Sequence, residues 1–460
     1  MNKKHFFPTR RWWVGTVVLL LAACGGGGGT GGSENPPPAP LSMAFPANAI
    51  VKLRTSGDRQ VLLAERPSSL FATDAPTRKL AWTRASGVLA EYLPPAGWSL
   101  LDFAAHPSGH VSAIQATSTS LELVRLDPSG AVVQRQALAD PQARFDPRID
   151  EGGAFDPGSM VPVLSRDGAR VAPIGEDVAV AVRTGMNAVV AYRFRWTPSG
   201  LERNWRTLVE PGMSLLGRFL TSGSHDVFGQ LVSHVRVHLD TDEAGRTYVA
   251  AGGGALSNLF GAHAEHFQVE IPALYGAIVT QLSPTGQRVR STVIDTAKVS
   301  ELHGLRTTSG GVVAVGRVRT ELRPDGTGWD GYAAIISSSG DLQHYAVVDV
   351  DRGDILLDIA PAANGGYWAA GATGYTQNPA GASISEEAAP LLVRLSATGS
   401  VVTRHSVAAG PRHNQLRAVS RWGGSWLVAG FANGPGTHSG DANPALITAD
   451  GLLRELALAP

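Results

Sequence analysis

Short apolar runs separated by polar turns fill the chain from Ala44 onward. The runs are rich in Val, Ile, Leu and aromatic residues, and Ser, Gly, Asp or Pro stand at their ends. This pattern predicts β-strands, because no segment between the runs has the length and the 3.6-residue periodicity of an amphipathic helix. The sequence therefore predicts an all-β fold.

Two sequence patterns alternate along these runs. The first is a turn followed by an apolar run that ends in small residues, and it is clearest at Gly423–Gly430 (GGSWLVAG). Its other copies begin at Ser56, Ser108, Ala244, Ser309 and Asn364, with a degenerate copy at Glu176–Arg183. The second pattern is a strand, a polar turn that contains glycine, and another strand. Its copies begin at Leu80, Leu123, Tyr192, Ile278, Ala334, Leu392 and Leu446.

The turns of the second pattern each contain one glycine, which predicts a hairpin with positive φ at that residue. These glycines are Gly87, Gly130, Gly200, Gly286, Gly340, Gly399 and Gly451. A single unit has two apolar faces, so it must stack on its neighbours, and stacking around an axis gives a β-propeller. We therefore expect an all-β propeller of seven blades with about four antiparallel strands each, and small residues on the strands nearest the axis.

The two patterns resemble the bacterial β-propeller repeat of the SBBP type, in which an acidic-Gly turn, a Tyr-Val-Ala-Gly strand and a later Gly turn recur. Asp240–Ile294 (DTDEAGRTYVAAGG, then IVTQLSPTGQRV) is the most similar unit. The resemblance implies a propeller with a binding or scaffolding role, and it implies no particular ligand.

Each unit of about 60 residues is longer than the roughly 40 to 50 of usual propeller blades, so long loops are expected. Two insertions are predicted, Asp140–Pro173 and Gly252–Tyr275. Function in such folds usually lies in loops on one face, so these insertions are where we expect it.

The N-terminal residues have the plan of a secretory signal. Lys3–Arg11 is basic, Val14–Leu21 is apolar, and Leu-Ala-Ala-Cys ends at Cys24. This ending resembles the lipobox of bacterial lipoproteins, which implies cleavage before Cys24 and acylation of its thiol. An ordinary signal peptide with a chance cysteine is the alternative.

Gly25 stands where the inner-membrane retention signal of lipoproteins has Asp, so the resemblance implies the outer membrane, with either side of it open. Thr9–Trp13 also resembles a twin-arginine export signal. The predicted divisions are a signal peptide at 1–23, a Gly/Pro-rich tether at 24–43 and a β-propeller at 44–460.

Removal of the leader leaves 35 basic and 39 acidic residues, a net formal charge of −4. Proteins that bind nucleic acid need a basic face, so nucleic acid is not expected as a partner. Cys24 is the only cysteine, so no intramolecular disulfide can form.

Histidines are concentrated in and before the fourth unit. They are His225, His234, His238, His263 and His266. Imidazoles at this density could hold zinc or copper, and a strand at HVRVH would place His234 and His238 on one face. The favoured interpretation is a polar strand face and a surface loop, so no cofactor is expected and a metal ion remains the alternative.

An acidic stretch, DVDRGDILLD, contains Asp349, Asp351, Asp354 and Asp358. Carboxylates in a short loop can bind calcium, but Asp354 stands where an EF-hand needs glycine. We therefore expect a solvated turn between blades.

Aromatic residues at equivalent places in their repeats, Tyr248, Trp368 and Trp426, predict packing within the blades. The chain has no Walker loop, no GxGxxG and no GxSxG nucleophile motif, and Ser439 beside His438 is interpreted as a chance pair. No catalytic residue is predicted, and an enzyme is the less favoured interpretation.

Three functions remain open from the sequence. The favoured one is an outer-membrane-anchored propeller lipoprotein that binds an envelope protein or an extracellular polymer through loops on one face. The others are a metal-binding protein or metal-dependent enzyme that uses the histidines of the fourth unit, and a structural surface protein without a specific ligand.

Overall fold

Seven antiparallel sheets of four strands each form a β-propeller in a computed structural model of the protein. This architecture confirms the predicted fold class, the number of blades and the number of strands in each. All described residues belong to one compact unit, Pro40–Pro460. Within them, no helix is long and apolar enough to cross a membrane.

The structure describes sixteen stretches of the chain. They are residues 42–46, 48–66, 77–84, 87–117, 120–138, 144–145, 163–164, 168–184, 188–209, 237–252, 276–295, 300–320, 328–374, 388–408, 410–434 and 450–458. The predicted leader, Cys24 and most of the tether lie outside these residues.

The blades follow one another in chain order. In each blade the strand nearest the axis is named first and the outermost strand last. Blade 1 contains β2 (Ala49–Ser56), β3 (Arg59–Arg66), β4 (Thr77–Arg84) and β5 (Gly87–Tyr92), and blade 2 contains β6 (Ser99–Ala105), β7 (Val111–Ala116), β8 (Leu121–Leu126) and β9 (Val132–Leu138). Blade 3 contains β12 (Ala169–Ile174), β13 (Asp177–Thr184), β14 (Ala188–Thr197) and β15 (Gly200–Val209), and blade 4 contains β16 (Val237–Thr241), β17 (Thr247–Gly252), β18 (Gly276–Leu282) and β19 (Arg288–Asp295). Blade 5 contains β20 (Ser300–Thr308), β21 (Gly311–Arg319), β22 (Trp329–Ser337) and β23 (Leu342–Val348), and blade 6 contains β24 (Ile355–Pro361), β25 (Tyr367–Thr373), β26 (Ala389–Leu395) and β27 (Val401–His405). Blade 7 contains β28 (His413–Trp422), β29 (Ser425–Gly434), β30 (Asp450–Leu456) and, as its outermost strand, β1 (Ser42–Phe45).

The first strand of each blade is the one nearest the axis. These strands, β2, β6, β12, β16, β20, β24 and β28, contact one another in sequence, and β28 contacts β2 to complete the ring. The first repeated pattern forms the second strands instead, so the prediction that its small residues lie nearest the axis is wrong. Its Ala and Gly residues are needed because the second strand is covered on both faces, as in β25, which is buried along its whole length.

The apolar core is divided into layers between neighbouring blades. Between blades 7 and 1, for example, Ile50 and Leu62 pack against Leu427 and Leu453. The fourth strands are exposed, as in β27, where Val402 is 62% exposed. Each sheet therefore contributes two apolar faces and an outer edge in solvent, which is why no blade is stable without its neighbours.

The hairpin turn between the third and fourth strands packs on the preceding blade. Gly286 has a φ of +81°, and a Cβ there would lie 2.6 Å from the Trp205 indole of blade 3. The Trp205 Nε1 donates to Pro284 O at 3.1 Å. Positive φ is present at six of the seven predicted turn glycines: Gly87, Gly130, Gly200, Gly286, Gly340 and Gly399.

Gly451 is the exception, and the predicted hairpin there is wrong. Gly451 lies inside β30, paired with Phe45 of β1, so the N-terminal strand completes the sheet that holds the C-terminal strand. A Cβ on Gly451 would lie 2.2 Å from Asn48 O. Glycine is needed at this position because two backbones approach closely.

The two ends of the propeller differ in the length of their connections. Because the strands are antiparallel, the turns from first to second and from third to fourth strands lie at one end, which we call the tight-turn face. Its connections have two to five residues. The opposite end, the long-connection face, receives the remaining strand ends, including those that flank residues 67–76, 139–168, 210–236, 253–275, 374–388 and 435–449.

Both predicted insertions begin and end on the long-connection face. The boundaries change slightly, because Ala169–Pro173 belongs to β12 and Gly252 is the last residue of β17. Within the first insertion, β10 (Arg144–Phe145) pairs in parallel with β11 (Val163–Leu164).

Candidate functional site in the central channel

Seven charged side chains on the innermost strands of six blades form what we call the axial charge cluster. Its members are Lys52, Arg54, Asp102, Arg170, Asp240, Arg306 and Asp358. They alternate in sign from blade 1 to blade 6, with two cations on blade 1. Charges at this density on crowded strands are costly unless they are paired.

A β-bulge in the inner strand precedes several of these side chains. The register shifts between Ile50 and Lys52 in blade 1, and the same shift occurs before Asp102 in blade 2 and Asp358 in blade 6. In blade 5 the residue after the bulge is Gly304. A bulge redirects the following side chain, which explains how charged residues inside apolar strands leave the packed layers between blades.

Lys52 and Asp102 join blades 1 and 2. Lys52 Nζ lies 2.5 Å from Asp102 Oδ1 and 2.8 Å from the Phe103 carbonyl. The Asp102 Oδ2 accepts the Val171 N–H of blade 3 at 2.9 Å. Burial opposes ionisation of Asp102, but Lys52 and Arg170 outweigh it and lower the pKa of this carboxyl. Burial lowers the pKa of Lys52 to about 7, against the attraction of Asp102.

Arg306 and Asp358 join blades 5 and 6 by a two-pronged ion pair. Arg306 Nε lies 3.1 Å from Asp358 Oδ1, and Nη2 lies 3.0 Å from Oδ2. The Val419 N–H of blade 7 donates to Asp358 Oδ2 at 3.1 Å. Although burial opposes it, the charges of Asp358 and Asp240 raise the pKa of Arg306.

Asp240 joins blades 4 and 5 through hydrogen bonds to Thr307. Its Oδ2 accepts the Thr307 N–H at 2.7 Å and the Thr307 hydroxyl at 3.1 Å. Asp240 was predicted as part of the DTDEAG turn, but the structure places it in β16. Asp242 holds that turn, because its carboxylate accepts the Arg246 N–H.

Arg54 lies close to the axis. Burial, and next the charge of Arg306, lower its pKa to about 10, while Asp358, Asp240 and Asp102 act in the opposite direction. These four charges come from blades 5, 6, 4 and 2, so only a central position brings one guanidinium near all of them. The Arg54 Nη1 donates to Leu53 O at 2.7 Å.

The predicted acidic turn is divided between two places. Asp358 belongs to the axial charge cluster, whereas Asp349 and Asp354 lie at the long-connection face with Asp330. One carboxylate oxygen from each of these three lies within 4.8 Å of the others. Calcium takes roughly six to eight oxygen ligands, so three acidic side chains do not by themselves make a calcium site.

Asp354 corrects the prediction of a solvated turn. Asp349 and Asp351 are exposed, but Asp354 is only 1% exposed. Its Oδ2 accepts the main-chain N–H groups of Val350 and Asp351 at 2.6 and 3.1 Å. Burial raises the pKa of Asp354, and the Asp330 carboxylate adds to the rise.

His238 is the one predicted metal candidate among the described residues. It lies on β16, is 8% exposed, and its Nε2 is 3.0 Å from Leu302 O of blade 5. The others lie outside the described residues: His225, His234, His263 and His266. Ser439 and His438 also lie outside them. The metal-binding hypothesis therefore stays a prediction.

The repeated aromatic residues pack inside the propeller, as their periodicity predicted. Tyr248, Trp368 and Trp426 are 1%, 2% and 3% exposed. The Trp368 and Trp426 ring centroids are 6.3 Å apart across the contact between blades 6 and 7. Because these three rings are buried, they do not present an aromatic surface on which a ligand could stack.

The repeat patterns missed the axial charge cluster, because its residues differ from blade to blade. The available signal was a charged residue inside a short apolar strand, as in Ala49–Ser56 (AIVKLRTS) or Ser99–Ala105 (SLLDFAA). Such a residue needs a polar partner, and the innermost strands of the neighbouring blades provide one, as Asp102 does for Lys52.

No protein-family model matches the chain, and no curated protein matches it. Among solved structures, it is similar to Sqt1 from Saccharomyces cerevisiae, with 8% identity and a TM-score of 0.45 over 90% of this chain and 98% of that chain. It is similar to the WD40 β-propeller domain of Doa1, with 9% identity and a TM-score of 0.43 over 91% and 97%. The β-propeller domain of the Trilobed protease from Pyrococcus furiosus has 7% identity and a TM-score of 0.44 over 90% and 97%. At identities this low, the activities and partners of these proteins are not carried over to this chain.

Proposed function

We propose that the protein is a binding or scaffolding module, anchored to the outer membrane through lipid on Cys24, that takes an envelope protein or an extracellular polymer on its long-connection face. The Leu-Ala-Ala-Cys ending of the leader supports the anchor. The closed propeller supports the binding role, because it presents a rigid platform with variable loops.

The difference between the two faces is the observation that carries this proposal. Connections on the tight-turn face are short and repeat from blade to blade, so their sequences are constrained by the fold. Connections on the long-connection face differ in length from blade to blade, and the longest are residues 139–168, 210–236 and 253–275. Segments that the fold does not require are where recognition residues usually lie.

The chain enters the propeller at the opposite end. Ser42 is the first residue of β1, and β1 runs from the tight-turn face towards Phe45 at the long-connection face, where β2 begins at Ala49. Attachment through the tight-turn end leaves the long-connection face accessible. Several acyl chains on Cys24 would give the stable anchor that one chain does not.

Cross-linking in intact cells tests the binding role. A photoreactive residue placed in 253–275 should capture one recurrent partner, and replacement of 253–275 by a short Gly/Ser linker should abolish a partner captured from 139–168. A probe at exposed Thr285 in a tight turn is the control and should capture little. Equal capture from both faces would contradict the proposed binding face.

Fractionation of a Cys24→Ala variant tests the anchor separately. The variant should leave the membrane fraction for the soluble periplasmic or secreted fraction, while the unchanged chain stays with the membrane. Protease treatment of whole cells then shows which side the propeller faces. Membrane retention of the variant would contradict lipid anchoring and leave the binding proposal intact.

A further inference from the structure

The innermost strands of blades 1 and 5 have a β-bulge at the same place but carry different residues directly after it. In blade 5, Gly304 follows the bulge, and Arg306 two residues later pairs with Asp358 of blade 6. In blade 1, Lys52 stands in the place of Gly304 and Arg54 in the place of Arg306. Blade 1 therefore carries one cation more than blade 5 at the same level of the channel.

Lys52 pairs with Asp102, the carboxylate of the next blade that would otherwise be the partner of Arg54. Lys52 Nζ is 2.5 Å from Asp102 Oδ1, and the other oxygen of Asp102 accepts the Val171 N–H. Arg54 donates only to Leu53 O and forms no ion pair with any carboxylate that the structure describes. Among the described residues, most of its guanidinium fork therefore has no hydrogen-bonded partner.

The surroundings of Arg54 favour an anion. The axial charge cluster holds four basic and three acidic side chains, so it carries one surplus positive charge while Lys52 is protonated. Arg54 is partly buried, so its charge is screened less than it would be on the outer surface. A planar guanidinium binds a carboxylate through two parallel N–H···O bonds. A single surplus positive charge balances a monoanion, whereas a phosphate dianion would also be repelled by the three carboxylates of the cluster.

We propose that Arg54 is the anchor of a small-ligand site in the central channel, which takes the carboxylate group of a monoanionic ligand. Arg54 lies two residues before the end of β2, in the half of the channel nearer the tight-turn face. The site is therefore separate from the long-connection face and does not depend on the function proposed for it.

Acetate is the simplest probe of this site. Saturation-transfer NMR on the full chain, at constant ionic strength with chloride as the replaced anion, should detect acetate binding. Arg54→Gln should weaken binding about tenfold or more, because hydrogen bonds to charged groups are lost. Arg54→Lys keeps the charge without the fork and should bind with intermediate affinity. Arg404→Gln, on the exposed strand β27, is the matched control and should bind as the unchanged chain does.

Asp240→Asn gives a test of opposite sign. An asparagine oxygen can still accept the Thr307 N–H, and the lost negative charge should tighten acetate binding several-fold. Phosphate should bind more weakly than acetate. The proposal is overturned if acetate does not bind, if Arg54→Gln binds equally well, if Asp240→Asn weakens binding, or if phosphate binds more tightly.

Discussion

The carboxylate of Asp102 accepts the main-chain N–H of Val171 at 2.9 Å and so joins the innermost strands of blades 2 and 3. The same bond recurs between blades 4 and 5 at Asp240 and between blades 6 and 7 at Asp358. Innermost strands are sheet edges with unpaired N–H groups, which need partners when they are buried. The axial carboxylates thus hold neighbouring blades together as well as balancing the cations.

Substitution of Asp358 should reveal this structural role. Asp358→Ala leaves the largely buried Arg306 guanidinium without its partner and should lower the free energy of unfolding by about 3 kcal/mol. Asp358→Asn keeps an acceptor for the Val419 N–H and should cost less. Urea unfolding followed by tryptophan fluorescence measures both. Asp341→Asn, which removes an exposed pair with Arg290, is the control and should change little; equal losses in all three variants would refute a special role for the axial pair.

The repeated features of the fold were predictable because they are local. A turn that needs positive φ selects glycine, so Gly286 and its counterparts could be read as hairpins. Gly451 shows the limit, because its requirement comes from the approach of Asn48, about four hundred residues away in the chain, and no local pattern encodes that. The identity of the innermost strand was missed for a related reason, since its residues differ between blades.

The candidate site lies in what does not repeat. Lys52, Asp102 and Asp358 each follow the bulge of their strand, but their charges differ in sign, so a search for similarity passes over them. Their pairing depends on which blade follows which around the ring, and on bulges that shift the register. The sequence does show that charges interrupt apolar strands, but only the closed ring shows which charge is left over.

Gly286 offers a test of the packing between blades. In Gly286→Ala, the new Cβ sits at a residue with positive φ and lies 2.6 Å from the Trp205 side chain. In Gly365→Ala, the φ is similar, at +85°, but the new Cβ has no atom within 4 Å. The backbone cost is about 1–2 kcal/mol for both. Gly286→Ala should cost about 1–3 kcal/mol more in unfolding free energy, because Trp205 must move. Equal unfolding midpoints for the two variants would show that the Trp205 contact contributes nothing.

Closure of the ring by β1 can be tested by shortening the chain. A chain that begins at Asn48 lacks β1, so it exposes the edge of β30 and loses buried Phe45, a side chain worth about 3 kcal/mol. Its thermal midpoint should fall by several degrees and its proteolysis should start in blade 7. A chain that begins at Pro40 retains β1 and is the control. Identical midpoints for the two chains would contradict closure by the N-terminal strand.

Asp354 should make the stability of the protein depend on pH in a direction opposite to that of most paired carboxylates. Burial raises the pKa of Asp354 above the ordinary 3.8. Between pH 3.8 and the raised pKa, the folded state therefore keeps a proton that the unfolded state has lost. Stability is therefore lost as pH rises from 3.8 through the raised pKa, and the cost is present in full above the raised pKa. Asp354→Asn keeps the acceptor for the Val350 and Asp351 N–H groups without the charge. The variant should be more stable than the unchanged chain at pH 7 and indistinguishable from it below pH 3.8 in urea unfolding, whereas a variant that is less stable at pH 7 would show that the Asp354 charge has a stabilising partner.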